Sequence, residues 1–338
     1  MVLLQPVDVD FDRRTKRTRP EVGSVKIDTD DEVADSDFRP IRADELDECG
    51  TVREPAAVSS PGAAEVDGRV QAVAEELGLA IIRPLTFGTF GAMLVATAEG
   101  QELVLKTTAD PALEPVWTTG GVTAARLHEQ GYPNPRVIGV GTTRTAVWSL
   151  QEFLTGDVPH RMTVNQAAQL VALARRHKTD SGGRRPWRDD AVRAARGWLA
   201  ETSIDPGCAV ALAAALDRGE RADLLDCTVV HGDFHYGNTL IDDEDIVAVL
   251  DWDIAGPGDW RFDLVMLAFG CVVRPRSCEP AAAALIIDAV RSECPSDVAA
   301  LMMACQVLRM TSMLAIRSPE TATQACSRMV AALRAWFA

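Results

Sequence analysis

Between Leu79 and Leu154 the sequence holds only short apolar runs, and after Gly156 the apolar residues fall at helical spacing. That change of period constrains the fold more than any other feature. Val66–Leu77 reads as a short amphipathic helix. Leu79–Leu85, Ala92–Ala98 and Glu102–Thr108 read as strands. The first pair is joined by Phe87-Gly88-Thr89-Phe90-Gly91 and the second by Glu99-Gly100-Gln101, Gly-containing loops that suit antiparallel connections. A helix closes near Gln130-Gly131, where glycine fits the C′ position. Arg136–Val140 and Thr145–Leu154 then add two strands. Beyond Gly156, helices are expected over Val164–His177, Asp189–Ala200, Cys208–Leu216, Phe262–Val273, Pro280–Glu293, Pro295–Ile316 and Pro319–Phe337. The expected class is α+β, with a five-stranded antiparallel lobe plus a helix over 63–154 and a mostly helical lobe over 155–338.

Residues 1–62 stand apart. They mix RRTKRTRP with DTDDEVADSD, hold 15 acidic against nine basic residues, and show no apolar period. That composition suits a disordered or partner-docking arm. The whole chain carries a net charge of −15. Such acidity argues against a nucleic-acid or anionic-membrane partner and is compatible with a cationic one. The longest apolar runs, such as Leu264–Val273, are too short to span a bilayer, and MVLLQPVDVDFD lacks the basic start of a secretory signal. The eight cysteines include no CxxC pair, so reduced buried thiols in a cytoplasmic protein are expected. Only four of the 34 basic residues are lysines: Lys16, Lys26, Lys106 and Lys178. A lysine inside a strand, as Lys106 is in VLKTT, therefore needs a reason.

The chemistry concentrates in residues 229–264. Strand Thr228–Val230 leads into His231-Gly232-Asp233, with Asn238 five residues on. Strand Ile246–Leu250 delivers Asp251-Trp252-Asp253. Two strand ends thus present a carboxylate, an amide and a second carboxylate. Phosphoryl transfer from ATP needs that set: a carboxylate to orient the attacking hydroxyl, and oxygen ligands for Mg²⁺.

HGDFHYGN followed by LDWD resembles the catalytic loop and metal motif of the aminoglycoside phosphotransferase / choline kinase family, whose fold is bilobal and protein-kinase-like. The resemblance covers about residues 79–337. It implies Asp233 as catalytic base, and Asn238, Asp251 and, more weakly, Asp253 as metal ligands. Lys106 resembles the family's ATP lysine. Gly88, Thr89, Phe90 and Gly91 resemble a loop over the nucleotide phosphates, and Gln151, Glu152 and Phe153 the segment beside adenine. His231 and His177 resemble scaffold residues. Asp259 and Asp263 resemble carboxylates that cap the next helix and brace the site. The cofactors implied are ATP and Mg²⁺. Kinase-like folds place a glutamate on the helix after the lysine strand to orient the lysine; here that position falls at about Gly120. The pair Gly120-Gly121 predicts a helix starting only near Val122, with Glu114 as a substitute from the preceding loop.

The implied enzyme transfers the γ-phosphate to a hydroxyl of a small molecule, such as an aminoglycoside-like antibiotic or a metabolite. Glu279, Asp288, Glu293 and Asp297, with Asp157 and His160, are candidates to hold a cationic acceptor. Two other readings stay open. The acidic arm suits a kinase for Ser/Thr hydroxyls of a peptide, and the Gly120 departure suits a non-catalytic nucleotide-binding pseudokinase.

Overall fold

The computed structural model describes residues 68–85, 92–184, 187–202 and 204–337. The 1–62 arm and the loop Gly88–Gly91 lie outside them. The described residues divide into two compact units, the first holding those from Gly68 to Leu154 together with Asp253–Ala255, the second holding those from Thr155 to Trp252 and from Gly256 onward.

The first unit contains helix α1 (Gly68–Glu76), strands β1 (Ala80–Leu85), β2 (Ala92–Ala96) and β3 (Glu102–Thr108), helix α2 (Glu114–Glu129), and strands β4 (Val137–Thr142) and β5 (Val147–Glu152). The strands form one antiparallel sheet in the order β1-β2-β3-β5-β4. Side chains alternate across a sheet. Met93, Val95, Leu103 and Leu105 therefore share a face, and they bury against Val70, Val73 and Ala74 of α1. Lys106 has the opposite parity to Leu105. It pairs in register with Ala92 on β2 and Ser149 on β5.

Helix α2 departs from expectation: it begins at Glu114 and runs through Gly120-Gly121. Asp110 caps the 3-10 turn Pro111–Leu113 that leads into it, and its side chain accepts from Ala112 N at 3.0 Å. Two helical glycines cost about 1 kcal/mol each relative to alanine. Packing offsets that cost here. A Cβ on Gly121 would stand 2.8 Å from Val140 Cγ2, so the bare backbone lets α2 lie close on β4. The helix ends as the sequence indicates. Gly131 takes φ +74°, and Tyr132 N donates to Leu127 O at 2.9 Å in a Schellman closure.

The second unit holds α3 (Val164–Arg176), α4 (Trp187–Glu201), α5 (Pro206–Gly219), β6 (Thr228–Val230), β7 (Thr239–Asp242), β8 (Asp245–Val249), β9 (Gly256–Gly258), α6 (Arg261–Val273), α7 (Pro280–Glu293), α8 (Ser296–Arg317) and α9 (Pro319–Phe337). Thr163 and Gln166 form a capping box at the start of α3. β6 pairs with β9 and β7 with β8, giving two short ribbons among the helices. The α6 run Arg261–Phe269 is buried throughout, and α8 packs on α4, α5, α6 and α9. By length and composition, Ser296–Ile316 of α8 could cross a membrane, although polar residues interrupt its apolar runs. More than half of that window is buried inside the unit, as in the core helix of a bundle. The described cysteines are free; Cys271 and Cys278 approach at Sγ–Sγ 3.5 Å.

Candidate active site

Within the second unit, β6 ends at Val230 and the chain turns into His231-Gly232-Asp233. The turn is held from α6. Asp263, fully buried in the first helical turn, accepts from His231 N at 2.8 Å and from Gly232 N at 3.1 Å. The same carboxylate bonds His177 Nδ1 at 2.8 Å, tying in the C-terminal cap of α3. Asp259 has a different partner set: Arg261, bound by both carboxylate oxygens, and Leu225 N at 3.1 Å. Of the two acids, Asp263 alone bonds the catalytic loop in these contacts.

His231 joins the two halves of the motif. Its Nδ1 accepts from Asp233 N at 3.2 Å, so its Nε2 carries the proton and donates to Leu250 O at 2.8 Å. Burial pushes its pKa below the ordinary 6.5; the Asp263 charge opposes that shift and His177 reinforces it. The imidazole is thus a neutral strut. Folding then disfavours its protonation, and the unfolded chain binds more protons once the pH drops below about 6.5. Stability is expected to fall as pH is lowered from 7 towards 5, by at most about 1.4 kcal/mol per pH unit for one site. Thermal melts across that range check this, with a shallower slope in His231→Gln. Equal slopes in both proteins would contradict a buried neutral His231.

Asn238 closes the 3-10 turn Tyr236–Asn238. Its Nδ2 donates to Asp233 O at 2.9 Å and to Asp233 Oδ2 at 3.1 Å, which turns its amide oxygen away from that carboxylate. Leu250 N donates to Asn238 O at 2.7 Å, and Thr239 pairs with Val249 across the β7–β8 ribbon. These bonds bring the residue before Asp251 against Asn238. Asp251 itself sits at φ +67°, a left-handed conformation uncommon outside glycine and most accessible to Asn and Asp. An amide oxygen and a carboxylate are hard donors that fit Mg²⁺. No three His, Cys, Asp or Glu side chains among the described residues group as a metal site.

The Asp233 carboxylate is a quarter exposed and has cationic neighbours. Arg309, from α8, donates to its Oδ1 and to Gly232 O, both at 3.3 Å. His235 Nε2 stands 3.5 Å from Oδ2, while His235 Nδ1 accepts from Gly237 N and caps the turn. Burial would raise the Asp233 pKa. The His235 contact and the Arg309 guanidinium outweigh burial and hold it well below the usual carboxylate range. Arg309 went unnoticed in the sequence. Its signal was a lone cation in LMMACQVLRMTSM, between the fully buried Leu308 and Thr311.

Within the first unit, Lys106 Nζ donates to Asp253 Oδ2 at 2.7 Å, and Ser149 Oγ lies 3.5 Å from Asp253 Oδ1. Asp253, expected as a third metal ligand, is thus bonded to the lysine. Glu114, expected in a loop, is the first residue of α2. Gln151 is buried in β5; Glu152 N donates to Arg136 O at 2.9 Å and Phe153 N to Glu102 O at 3.4 Å.

Residues 92–297 match the sequence model of the phosphotransferase enzyme family (APH), which spans more than half of the chain. The protein belongs to that family and is a phosphotransferase, the enzyme class its sequence implied. No curated protein matches the chain significantly. Among solved structures, a thermostable mutant of aminoglycoside phosphotransferase APH(4)-Ia in ternary complex with ADP and hygromycin B is 19% identical, with a TM-score of 0.56, covering 78% of this chain and 97% of that one. Macrolide 2′-phosphotransferase MphH from Brachybacterium faecium is 20% identical, with a TM-score of 0.52, covering 77% and 97%. Amicoumacin kinase hAmiN, in complex with AMP-PNP, Ca²⁺ and Ami, is 13% identical, with a TM-score of 0.55, covering 79% and 93%. At these identities the likeness establishes the fold, which is the kinase-like α+β architecture expected.

Proposed function

We propose that the protein is an ATP- and Mg²⁺-dependent O-phosphotransferase that moves the γ-phosphate to a hydroxyl of a small molecule. The observation that carries this reading is the Asp233–Asn238–Leu250 hydrogen-bond chain, in which the Asn238 amide orients the Asp233 carboxylate and the Asn238 main chain bonds the residue preceding Asp251. Asp233 accepts the acceptor's hydroxyl proton as the new O–P bond forms and the β–γ bridging P–O bond breaks, with ADP leaving. So acidic a carboxylate is a weak base, and its chief work is to aim the hydroxyl; a loose phosphoryl-transfer transition state asks little more of it. Asn238 and Asp251 would hold Mg²⁺, which when bound neutralises charge on the β- and γ-phosphates. Lys106 contacts the α- and β-phosphates, and 151–153 flanks the adenine. The buried free thiols fit a reducing compartment such as the cytoplasm.

The acids first considered for a cationic acceptor are partly committed elsewhere. Glu293 pairs with Arg175 at 2.6 Å and with Lys178 at 2.8 Å, and Asp288 lies 3.7 Å from Arg291. With Arg309 against Asp233, this favours an acceptor that carries no dense positive charge beside its reacting hydroxyl.

The test incubates the full chain with ATP, Mg²⁺ and a panel of aminoglycosides, macrolides, other hydroxyl metabolites and Ser/Thr peptides. One acceptor is expected to gain the mass of one phosphate with matching ADP release. Phosphate gain confined to peptides would replace the small-molecule reading with the peptide one. No gain in any acceptor, together with retained nucleotide binding, would favour a pseudokinase.

A further inference from the structure

We propose that Asp253 is the carboxylate that positions Lys106 for the nucleotide, and that it does so in place of a glutamate on α2. The inference rests on the ATP reading above. Three observations support it, all within the first unit.

First, the helix cannot supply the partner from its interior. α2 is continuous, its position 120 is a buried glycine, and its acids are Glu114 and Glu129 at its two ends. Second, the lysine and Asp253 meet at 2.7 Å with side chains only 11% and 10% exposed. In that sheltered setting a charged hydrogen bond is stronger and less screened than a surface pair. Third, the carboxylate is fixed at both oxygens by residues that face each other across β3 and β5. Lys106 holds Oδ2 and Ser149 lies against Oδ1, and these two residues are register partners. Anchoring by a cross-strand pair sets the direction of the lysine head relative to the sheet, which is the service a helix glutamate provides from the opposite side. Asp253 is then a positioning residue, and the metal falls to Asn238 and Asp251.

The test reads binding, so it needs no acceptor. The affinity of a fluorescent ATP analogue is measured with Mg²⁺ for wild type, Asp253→Asn, Lys106→Met and the double variant. Each single substitution is expected to weaken binding about tenfold, in the range of other losses of an orienting partner. The double variant should bind no more weakly than Lys106→Met alone, because Asp253 acts through the lysine. In Mn²⁺ titrations of the nucleotide-loaded protein the midpoint should stay put in Asp253→Asn and shift in Asp251→Asn. Additive effects in the double variant, or an Asp253→Asn midpoint shift like that of Asp251→Asn, would overturn the proposal and leave the ATP reading standing. A wild type that binds no nucleotide would remove both. If circular dichroism shows Asp253→Asn unfolded, Asp253→Glu carries the same cycle.

Discussion

Asp233→Asn is expected to cut phosphoryl transfer by about 10²–10⁴-fold while nucleotide affinity stays within about twofold of wild type. The substitution keeps the volume of the side chain and one acceptor oxygen, but removes the charge and the proton acceptor. Arg309 and His235 then face a neutral amide, and Asn238 Nδ2 can lose its bond to Oδ2 while keeping its bond to the main-chain oxygen. Some stability should be lost as well. A carboxylate with a depressed pKa contributes stability above its unfolded pKa of about 3.8 and loses it as pH falls through the folded value, so at neutral pH the part owed to Arg309 is present to be removed. Initial-rate kinetics below the variant's melting transition separate the two effects. Turnover within about threefold of wild type would show that Asp233 neither orients the hydroxyl nor takes its proton.

The parts of the site that were legible in the sequence are those that one loop or one ribbon closes. Asp233 and Asn238 are five residues apart, and a single turn joins them. Asn238 and Leu250 are the ends of a β-ribbon, so a spacing near a dozen residues already encodes their contact. Likewise the sheet was readable because each strand is short and most links carry a glycine.

The contacts that were not legible link residues far apart in sequence. Arg309 reaches Asp233 across 76 positions, and Lys106 reaches Asp253 across 147. Spacing carries no signal at such separations; only packing of whole elements decides them. The Gly120-Gly121 pair shows the same limit from the other direction. Local propensity argues for a break, yet the approach of α2 to Val140 on β4 needs a residue without a Cβ, and the tertiary contact prevails. The contact accounts for the glycine at 121, and the helix runs on through both positions.

Asp263→Ala is expected to destabilise the protein by about 3–5 kcal/mol, the usual cost of removing one partner from a buried charged network. Three donors lose their acceptor together: His231 N, Gly232 N and His177 Nδ1. Water cannot readily replace the bonds to His231 and His177, since both residues and Asp263 are fully buried, whereas Gly232 is partly exposed. Asp259→Ala provides the comparison. It also strips a buried carboxylate from its cation, Arg261, but its bonds run to Leu225 and Arg261 and none to the catalytic loop. Both variants should unfold at lower urea concentration than wild type. At a temperature where each is still folded, only Asp263→Ala should also lose turnover, because α6 then no longer holds Gly232 and the loop can drift from Asn238. A turnover loss of equal size in the two variants would mean that general stability, and not the tether from Asp263, sets the position of Asp233.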